Sequence, residues 1–600
     1  MKLQTKKERV RISCWLSVLI GGIAALLSTR YLGVGEELSA IQKVFFYVYC
    51  AGQMFILAGV VNFLSWLVSC IFKSAKAFAF ILLLFNSVLL IFIVADTYVY
   101  QLYRFHLNWA MIDLFINGGG EVIHFSGEMW MQISLICIVI VAVSLGAQYL
   151  SAKAVRFPSW PCVVVLIFCF AVGNFSYAFA SAAQRADITW MVEYVPWARP
   201  LTMNSLLKKF GWTIDAKQTV DVQEHKTLRY PLNELKFDAV EEKKNIVFVV
   251  VDSLRADMLQ PEIMPNLWNI AKNNIKFNNH FSSGNSTRAG IFGLFYGIPS
   301  AYWHSVLRGN VPSAFISALQ QQGYVVEAFA SARLTSPEFN KTIFTSVPNV
   351  RLSSDGETSW ERDVDSICDF EAWLTGVDAP FFSFIFLDNI HGFSLSPDGD
   401  RPFKPYWENV NNLELNSETN PTEYFNLYKN AVYDSDKNIN KIWDILKNRG
   451  LLENTIVVIT SDHGEEFNDN GKNFWGHNSN FTDAQIKIPL VVHWAGRQRG
   501  EIDYLTTAYD ITATLLPEVL GCINDVEDYS IGHTLFSPSN RNWFLSGSYQ
   551  NNAIVERERI TIINGMGMLL FKDRTYGDSP DRERNLNLIE ALKLLGKYRK

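Results

Sequence analysis

The sequence predicts an α/β protein in which five N-terminal transmembrane helices are followed by a mostly parallel sheet sandwiched by helices. Three observations lead there. Five long apolar runs crowd into the first 185 or so residues, β-branched runs alternate with helix-length segments after residue 245, and Asp, His and Ser gather where those runs end. The hydrophobic fraction of 49% is ordinary as an average, but it hides an apolar half and a charged half. The expected divisions are a five-helix transmembrane domain over 1–184, an interfacial linker over 185–240 and an extracytoplasmic domain over 241–600. That last part is long enough to bury a core of its own.

The apolar runs cover approximately 13–33, 44–72, 77–100, 129–150 and 158–181. Each meets the roughly 20 helical residues that a bilayer about 30 Å thick requires. The first follows Lys2, Lys6, Lys7, Arg9 and Arg11, but it is too long for a signal-peptide core and no small-residue cleavage site follows. The basic residues set the orientation. The N-terminus, Lys73 with Lys76, and Lys153 with Arg156 fall on one side when five helices alternate. The N-terminus is therefore expected in the cytoplasm and everything after 185 outside, which in a Gram-negative cell is the periplasm.

The spans are poor in charge. Asp96, near the outer end of the third, reads as an interfacial residue. Transporters place ionisable groups near the midplane, so an anchor or a lipid-contacting bundle is favoured. A net charge of −6 without a basic stripe argues against nucleic-acid binding. Six of the eight cysteines lie in apolar runs, and Cys368 and Cys522 alone make no disulfide framework. Beyond the fifth span, Trp190, Tyr194 and Trp197 lie near Arg185, Arg199, Lys208 and Lys209. Aromatic and basic residues just outside a span suit either an interfacial anchor or an anionic lipid headgroup. Trp197, Arg199, Lys208 and Lys209 are the candidate lipid contacts.

In the soluble part, Asn245–Val251 is a continuous apolar run, as expected of a strand buried on both faces. Similar runs occupy 324–328, 381–387, 455–460 and 489–493, with helical patterns near 262–274, 312–322, 421–449 and 508–519. Chemistry in such sheets collects at the carboxyl ends of strands. There stand Asp252, the run Asp388-Asn-Ile-His391, and Asp462-His463-Gly464-Glu465-Glu466, with a loop adding Gly476-His477. Carboxylates and imidazoles from several segments are the ingredients of a divalent-metal site, and Gly464 would let the backbone turn sharply after the Asp-His pair. Ser286 and Thr287 precede an apolar helical stretch. Either hydroxyl could be a nucleophile at a helix N-terminus, and either could be an ordinary N-cap.

Together these clusters resemble the alkaline-phosphatase/sulfatase superfamily, in particular its branch of lipoteichoic-acid synthases and phosphoethanolamine transferases, which also place five helices before an outside catalytic domain. The resemblance implies a metal held by Asp252, Ser286 (with Thr287 adjacent), Asp462 and His463, with Ser286 or Thr287 as nucleophile. It implies one or two divalent cations, Mn, Mg or Zn, and substrate binding by His391, His477 and Arg333. A strict sulfatase is disfavoured, because residues 283–290 lack the Cys/Ser-x-Pro/Ala-x-Arg pattern.

A closer resemblance, over nearly the whole chain, is to a family of inner-membrane regulators of lipopolysaccharide. It is carried by Arg104-Phe-His-Leu-Asn108, Tyr230-Pro-Leu-Asn-Glu-Leu235, Ser282-Ser-Gly-Asn285 with Ile291-Phe-Gly-Leu-Phe-Tyr-Gly297, and Pro489-Leu-Val-Val-His-Trp494. It implies sensing of lipid A or lipopolysaccharide and control of its synthesis through an inner-membrane partner that governs proteolysis of an early biosynthetic enzyme. Here the Asp462-His463 pair stands intact, unlike the enterobacterial pattern, and Asn204-Ser205 replace that pattern's basic pair in the lipid-binding segment. Two functions stay open: a lipid-sensing regulator, or an active metal-dependent phosphatase or transferase of phosphoglycerol or phosphoethanolamine on an envelope lipid.

Overall fold

A computed structural model describes residues 5–33, 38–72, 74–108, 127–183, 185–201, 209, 228–565, 567–579 and 586–599. Five long helices open the chain: α1 Lys6–Leu27, α2 Ala40–Ser69, α3 Ala75–Tyr103, α4 Gly127–Lys153 and α5 Trp160–Ala182. All five are long and apolar enough to cross a membrane. Capping boxes start two of them, Thr5 with Glu8 on α1 and Ser39 with Gln42 on α2. Helices α2 and α5 meet through glycine, since a Cβ on Gly52 would lie 2.6 Å from the Cys169 carbonyl oxygen. Small residues let backbones approach where lipid offers no hydrophobic drive. Asn62 and Asn86 exchange two amide hydrogen bonds of 3.0 Å between α2 and α3.

Asp96, expected near the outer end of the third span, lies near the C-terminal end of α3. It is fully buried, and accepts from the Tyr31 hydroxyl at 2.6 Å and the Leu107 backbone N–H at 2.5 Å. The ring of His106 meets it at 2.6 Å. The helix α3 ends at Arg104 in the left-handed region, φ 56°, which turns the chain so that His106 folds back onto the helix it has just left.

The soluble part is built on a seven-stranded sheet of β1 Asn245–Val251, β2 Ile275–Phe277, β3 Val325–Ala330, β4 Phe381–Leu387, β5 Thr455–Ser461, β6 Leu490–His493 and β7 Gly500–Ile502. Their order is β7-β2-β6-β5-β1-β4-β3. The sheet is mixed: β5, β1, β4 and β3 run parallel, while β6 is antiparallel to both its neighbours. Alternation along β1 sends Ile246, Phe248 and Val250 into one apolar core and Val247, Val249 and Val251 into another, so both faces are covered.

Among the helices packed on these faces are α6 Thr287–Tyr296, α7 Ser359–Trp373, α8 Thr422–Asn448 and α9 Tyr509–Leu520. Phe292 of α6 and Leu516 of α9 join the first core, Phe370 of α7 and Leu446 of α8 the second. A further, antiparallel sheet precedes the last helix, Leu586–Gly596: β8 Trp543–Gly547, β9 Asn552–Glu556, β10 Arg559–Ile563 and β11 Leu569–Asp573. The sequence reading did not anticipate it. Cys368 is exposed, Cys522 is buried, and both are free thiols.

Named contacts tie the bundle to the soluble part. Arg104 donates to the Asn473 carbonyl at 2.6 Å and its guanidinium lies 4.5 Å from the Phe474 ring centroid. Glu193, beyond the last span, accepts from Asn564 at 2.8 Å, and its carbonyl meets His106 Nε2 at 3.0 Å.

Candidate metal and nucleophile centre

The register of three parallel strands builds the site. Val251 of β1 stands opposite Leu387 of β4 and Ser461 of β5. The next residue on each strand is an aspartate, so Asp252, Asp388 and Asp462 emerge side by side at the carboxyl edge. All three are buried. Ser253 then turns the chain at φ 62°, a left-handed conformation that costs a non-glycine residue energy. It is held there by three hydrogen bonds. Its N–H donates to Asp462 Oδ1 at 3.2 Å, its hydroxyl to Asp252 at 2.9 Å, and its carbonyl accepts from the Tyr428 hydroxyl at 2.8 Å.

Two overlapping donor groups sit on this edge. Asp252, Asp462 and His463 bring one ligand atom each within 4.8 Å of one another, and so do Asp252, Asp388 and His391. A third, His463, Glu465 and His477, shares the same imidazole. His463 Nδ1 meets the Gly464 carbonyl at 2.9 Å. Only a protonated nitrogen bonds a carbonyl, so Nε2 faces the carboxylates with its lone pair free.

The nucleophile candidates separate here. Thr287 opens α6, and its hydroxyl lies 3.3 Å from Asp252 Oδ2 and 3.2 Å from His463 Nε2. Ser286 is the N-cap residue, yet its side chain makes no capping bond, and its buried hydroxyl has no hydrogen-bond partner. Helix α6 comes this close because of Gly290, where a Cβ would lie 2.1 Å from the Asp462 carbonyl oxygen. Gly464 serves the site by the same means rather than by the sharp turn expected of it. Its φ is not positive, and an added Cβ would fall 2.2 Å from the Ala484 carbonyl oxygen.

Charge is unevenly shared across the cluster. Burial pushes the Asp252 carboxyl up, but His391, His463 and His477 outweigh it and hold it below its ordinary value. Burial and the adjacent Asp252 charge push Asp462 well above its own. Burial opposes protonation of His391, yet Asp252 and Asp388 win and raise it to about 10. Burial lowers both His463 and His477, although Glu465 Oε2 stands 2.8 Å from His477 Nδ1. Two buried carboxylates side by side, one with Oδ2 unpartnered, are what a bound cation would satisfy. The donor set of carboxylates and imidazoles suits Mn, Mg or Zn, and its three overlapping groups leave room for more than one ion.

Other expected site residues scatter. His477 and His391 both join the cluster, their rings 5.4 Å apart. Arg333 is exposed beyond the end of β3 and, among the described residues, makes no hydrogen bond or ion pair with it. Trp197 is half exposed with its ring 5.0 Å from Phe92, and Arg199 and Lys209 are exposed. Lys208 lies outside the described residues, as do Asn204 and Ser205. Tyr194 is buried, its ring 5.5 Å from Tyr100.

Asp388 and Glu465, named from the sequence among the strand-end acids but assigned no role, both join the donor groups, and one contributor escaped the sequence reading. Asp363 on α7 accepts the backbone N–H groups of Asp388 and Asn389 at 2.8 and 3.1 Å. Burial lifts its carboxyl to about 8. No sequence signal identifies a prop that acts from behind the site.

Fold and site together are those of a sulfatase-like domain preceded by five helices long and apolar enough to cross a membrane. Residues 244–521 match the sulfatase family, and residues 1–237 match a domain of unknown function (DUF3413). Over nearly its whole length the chain is similar to proteins named inner membrane protein YejM. It is 24% identical over 595 residues to inner membrane protein YejM of Salmonella typhimurium, covering 96% of this chain and 94% of that one. It is 26% identical over 553 residues to an uncharacterized protein of Haemophilus influenzae, covering 89% and 86%. Among solved structures, the integral membrane protein lipooligosaccharide phosphoethanolamine transferase A (EptA) of Neisseria meningitidis superposes with a TM-score of 0.58. That match has 14% identity and spans 87% of this chain and 98% of that one; at that identity it speaks for the fold.

Proposed function

We propose that the chain is an inner-membrane protein whose soluble part, on the periplasmic side, carries out metal-dependent phosphoryl chemistry on an envelope lipid. The observation that carries this is the Thr287 hydroxyl, held between Asp252 and His463 at the N-terminus of α6 and beside Asp462. Asp252, Asp462, His463 and Thr287 would hold the cation, with Asp388, Glu465, His391 and His477 at hand for a second. When bound, a divalent cation neutralises phosphoryl oxygens and lowers the pKa of a nearby hydroxyl.

The chain's own residues supply the rest. Thr287 Oγ1 attacks phosphorus, forming an O–P bond as the ester bond to the leaving oxygen breaks. Its hydroxyl proton passes towards Asp252 Oδ2, the carboxylate oxygen 3.3 Å away. The N-terminus of α6 adds favourable partial charge for the anion. His391, between Asp252 and Asp388, donates a proton to the leaving oxygen. Water, or a lipid hydroxyl, then displaces Thr287 from phosphorus, giving hydrolysis or transfer.

The experiment is metal analysis and hydrolysis of bis(p-nitrophenyl) phosphate by the purified full chain, beside Thr287→Ala and Asp462→Asn. Stoichiometric Mn, Mg or Zn with activity lost in both variants is expected. Loss of the nucleophile should cost several kcal/mol, roughly a thousandfold in rate. A chain that binds no divalent cation would overturn the reading.

A second reading, that the protein senses lipid A or lipopolysaccharide and regulates outer-membrane lipid homeostasis through an inner-membrane partner, is supported by the exposed Trp197, Arg199 and Lys209 just beyond the last span. Charge reversal at Lys208 and Lys209 should disturb lipopolysaccharide levels even in a Thr287→Ala background. Unchanged levels would count against it.

A further inference from the structure

The segment that brings His477 to the metal centre is a hairpin. Glu466–Phe467 pairs antiparallel with Trp475–Gly476, so Glu465 and His477 stand at its root, with Oε2 and Nδ1 2.8 Å apart. With His463 they form one of the three donor groups, and the rings of His463 and His477 lie 4.3 Å apart. A two-stranded hairpin is barely stable on its own. Whatever holds its two arms therefore decides where Glu465 and His477 point.

The arms are held by different parts of the chain. The soluble part holds the first: Arg255, just beyond β1, donates to the Glu465 carbonyl at 3.1 Å and to Asp469 Oδ2 at 3.0 Å. The bundle holds the second. Arg104, the residue that ends α3, donates through Nη2 to the Asn473 carbonyl at 2.6 Å, and its guanidinium lies over the Phe474 ring. The Asn473 amide donates to the Gly33 carbonyl, between α1 and α2, at 3.4 Å. Trp475 is buried in the core against which Leu102 of α3 packs.

Helix α3 also reaches the root itself. Gly476 has φ 81°, and an added Cβ there would lie 3.4 Å from Glu465 Oε1 and 3.8 Å from Cε1 of Tyr103. The Tyr103 ring and the Glu465 carboxylate thus flank the same Cα, one residue before His477. Leu102, Tyr103 and Arg104 are consecutive at the end of one helix and move with it. A shift of α3 therefore draws on the His477 arm, while Arg255 keeps the Glu465 arm in place.

We infer that the C-terminal end of α3 is a working part of the metal centre. Arg104 is a positioning residue that sets the arm carrying His477, so that a divalent cation at His463, Glu465 and His477 is held or released according to where α3 stands. This rests on the reading of these groups as cation ligands under the proposed function, whereas the hold of Arg104 on the hairpin does not.

The test is zinc titration by calorimetry of the full chain in detergent, after removal of metal with EDTA and dialysis. Hydrogen exchange of residues 472–477 is followed beside it, in EDTA. Arg104→Ala should weaken, about tenfold, the same zinc equivalent that His477→Ala weakens, and should speed exchange over 472–477. Arg104→Lys keeps a cation and a donor and should restore part of both. In a His477→Ala background Arg104→Ala should add no further loss, because the two act through one ligand. Phe474→Leu keeps apolar bulk but removes the ring beneath the guanidinium. It should give about a threefold loss, and it covers the event that Arg104→Ala fails to fold. Unchanged zinc affinity in both Arg104→Ala and Phe474→Leu overturns the inference, as does a loss equally large with and without His477. Failure of the phosphoryl-chemistry reading shows separately, as an inactive wild type that takes up no zinc; that result overturns the cation's part, while faster exchange in Arg104→Ala would still support the hold on the hairpin.

Discussion

Replacing Asp462 by asparagine should change stability in opposite directions with and without a divalent cation. In the protein alone, Oδ1 accepts from the N–H groups of Ser253 at 3.2 Å and His463 at 2.8 Å. The buried Oδ2 has no hydrogen-bond partner and shares the edge with Asp252. An amide oxygen at the Oδ1 position keeps both backbone bonds. The NH₂ in place of Oδ2 removes a like charge and meets His463 Nε2, 3.4 Å from that oxygen today. Relief of one unsatisfied buried acceptor is worth about 1–3 kcal/mol, so the metal-free variant should be the more stable protein. With a cation the sign reverses. Binding stabilises the native state by about 2.7 kcal/mol at a hundredfold excess over Kd, and a neutral amide forfeits most of that.

The assay is thermal unfolding of the full chain in detergent, in EDTA and in saturating MnCl₂. The two proteins should cross, the variant melting above wild type in EDTA and below it in Mn. A variant that melts lower in both conditions would mean the carboxylate is needed for the fold itself. Indifference of wild type to Mn would remove the cation from the argument.

Three further outcomes can be checked. Ser286→Ala should leave phosphodiesterase activity within a few-fold of wild type, while Thr287→Ala abolishes it and Thr287→Ser restores a part, since only the Thr287 hydroxyl reaches Asp252 and His463; equal loss in both alanine variants would contradict this geometry. Gly290→Ala puts a Cβ 2.1 Å from the Asp462 carbonyl, so α6 must retreat by about 1 Å. About a hundredfold loss of kcat/KM is expected from such a displacement, with at most about 1–3 kcal/mol of stability lost to overpacking; unimpaired kcat/KM would show that α6 does not set the nucleophile's position. His280 is fully buried, and burial drives its imidazole down to about 3. Its folded value lies below the unfolded one, so the unfolded state takes up the proton first. Stability is retained above about pH 6.5 and falls by about 1.4 kcal/mol per unit below it. In EDTA, His280→Asn should flatten the midpoint's slope between pH 4.5 and 6.5, and an unchanged slope would assign acid sensitivity to other groups.

Some of the molecule was legible along the chain. Five spans follow from run length against bilayer thickness, and the expected run at 44–72 corresponds to the helix Ala40–Ser69. The strand Phe381–Leu387 was readable because a continuous apolar run has only one comfortable place in an α/β sheet. Asp252, Asp462 and His463 could be named because carboxyl ends of strands are where polar residues are spared from the core. These are local properties, set by period and length over a few residues.

Other features came only with the tertiary structure. Strand register, not sequence spacing, aligned Asp388 with Asp252 and Asp462. The four-stranded antiparallel sheet carries weaker, shorter patterns, and its strands gain meaning only from pairing with one another. Thr287 and Ser286 are neighbours with the same hydroxyl chemistry, and no local rule distinguishes them. The close approach of α6 to the Asp462 carbonyl aims one at the carboxylates and leaves the other unpartnered. The position of Asp96 along α3 was legible, whereas the His106 that folds back onto it was not. Local sequence determines which elements form and which side chains they carry; the contacts among elements remote in sequence decide which of those side chains meet.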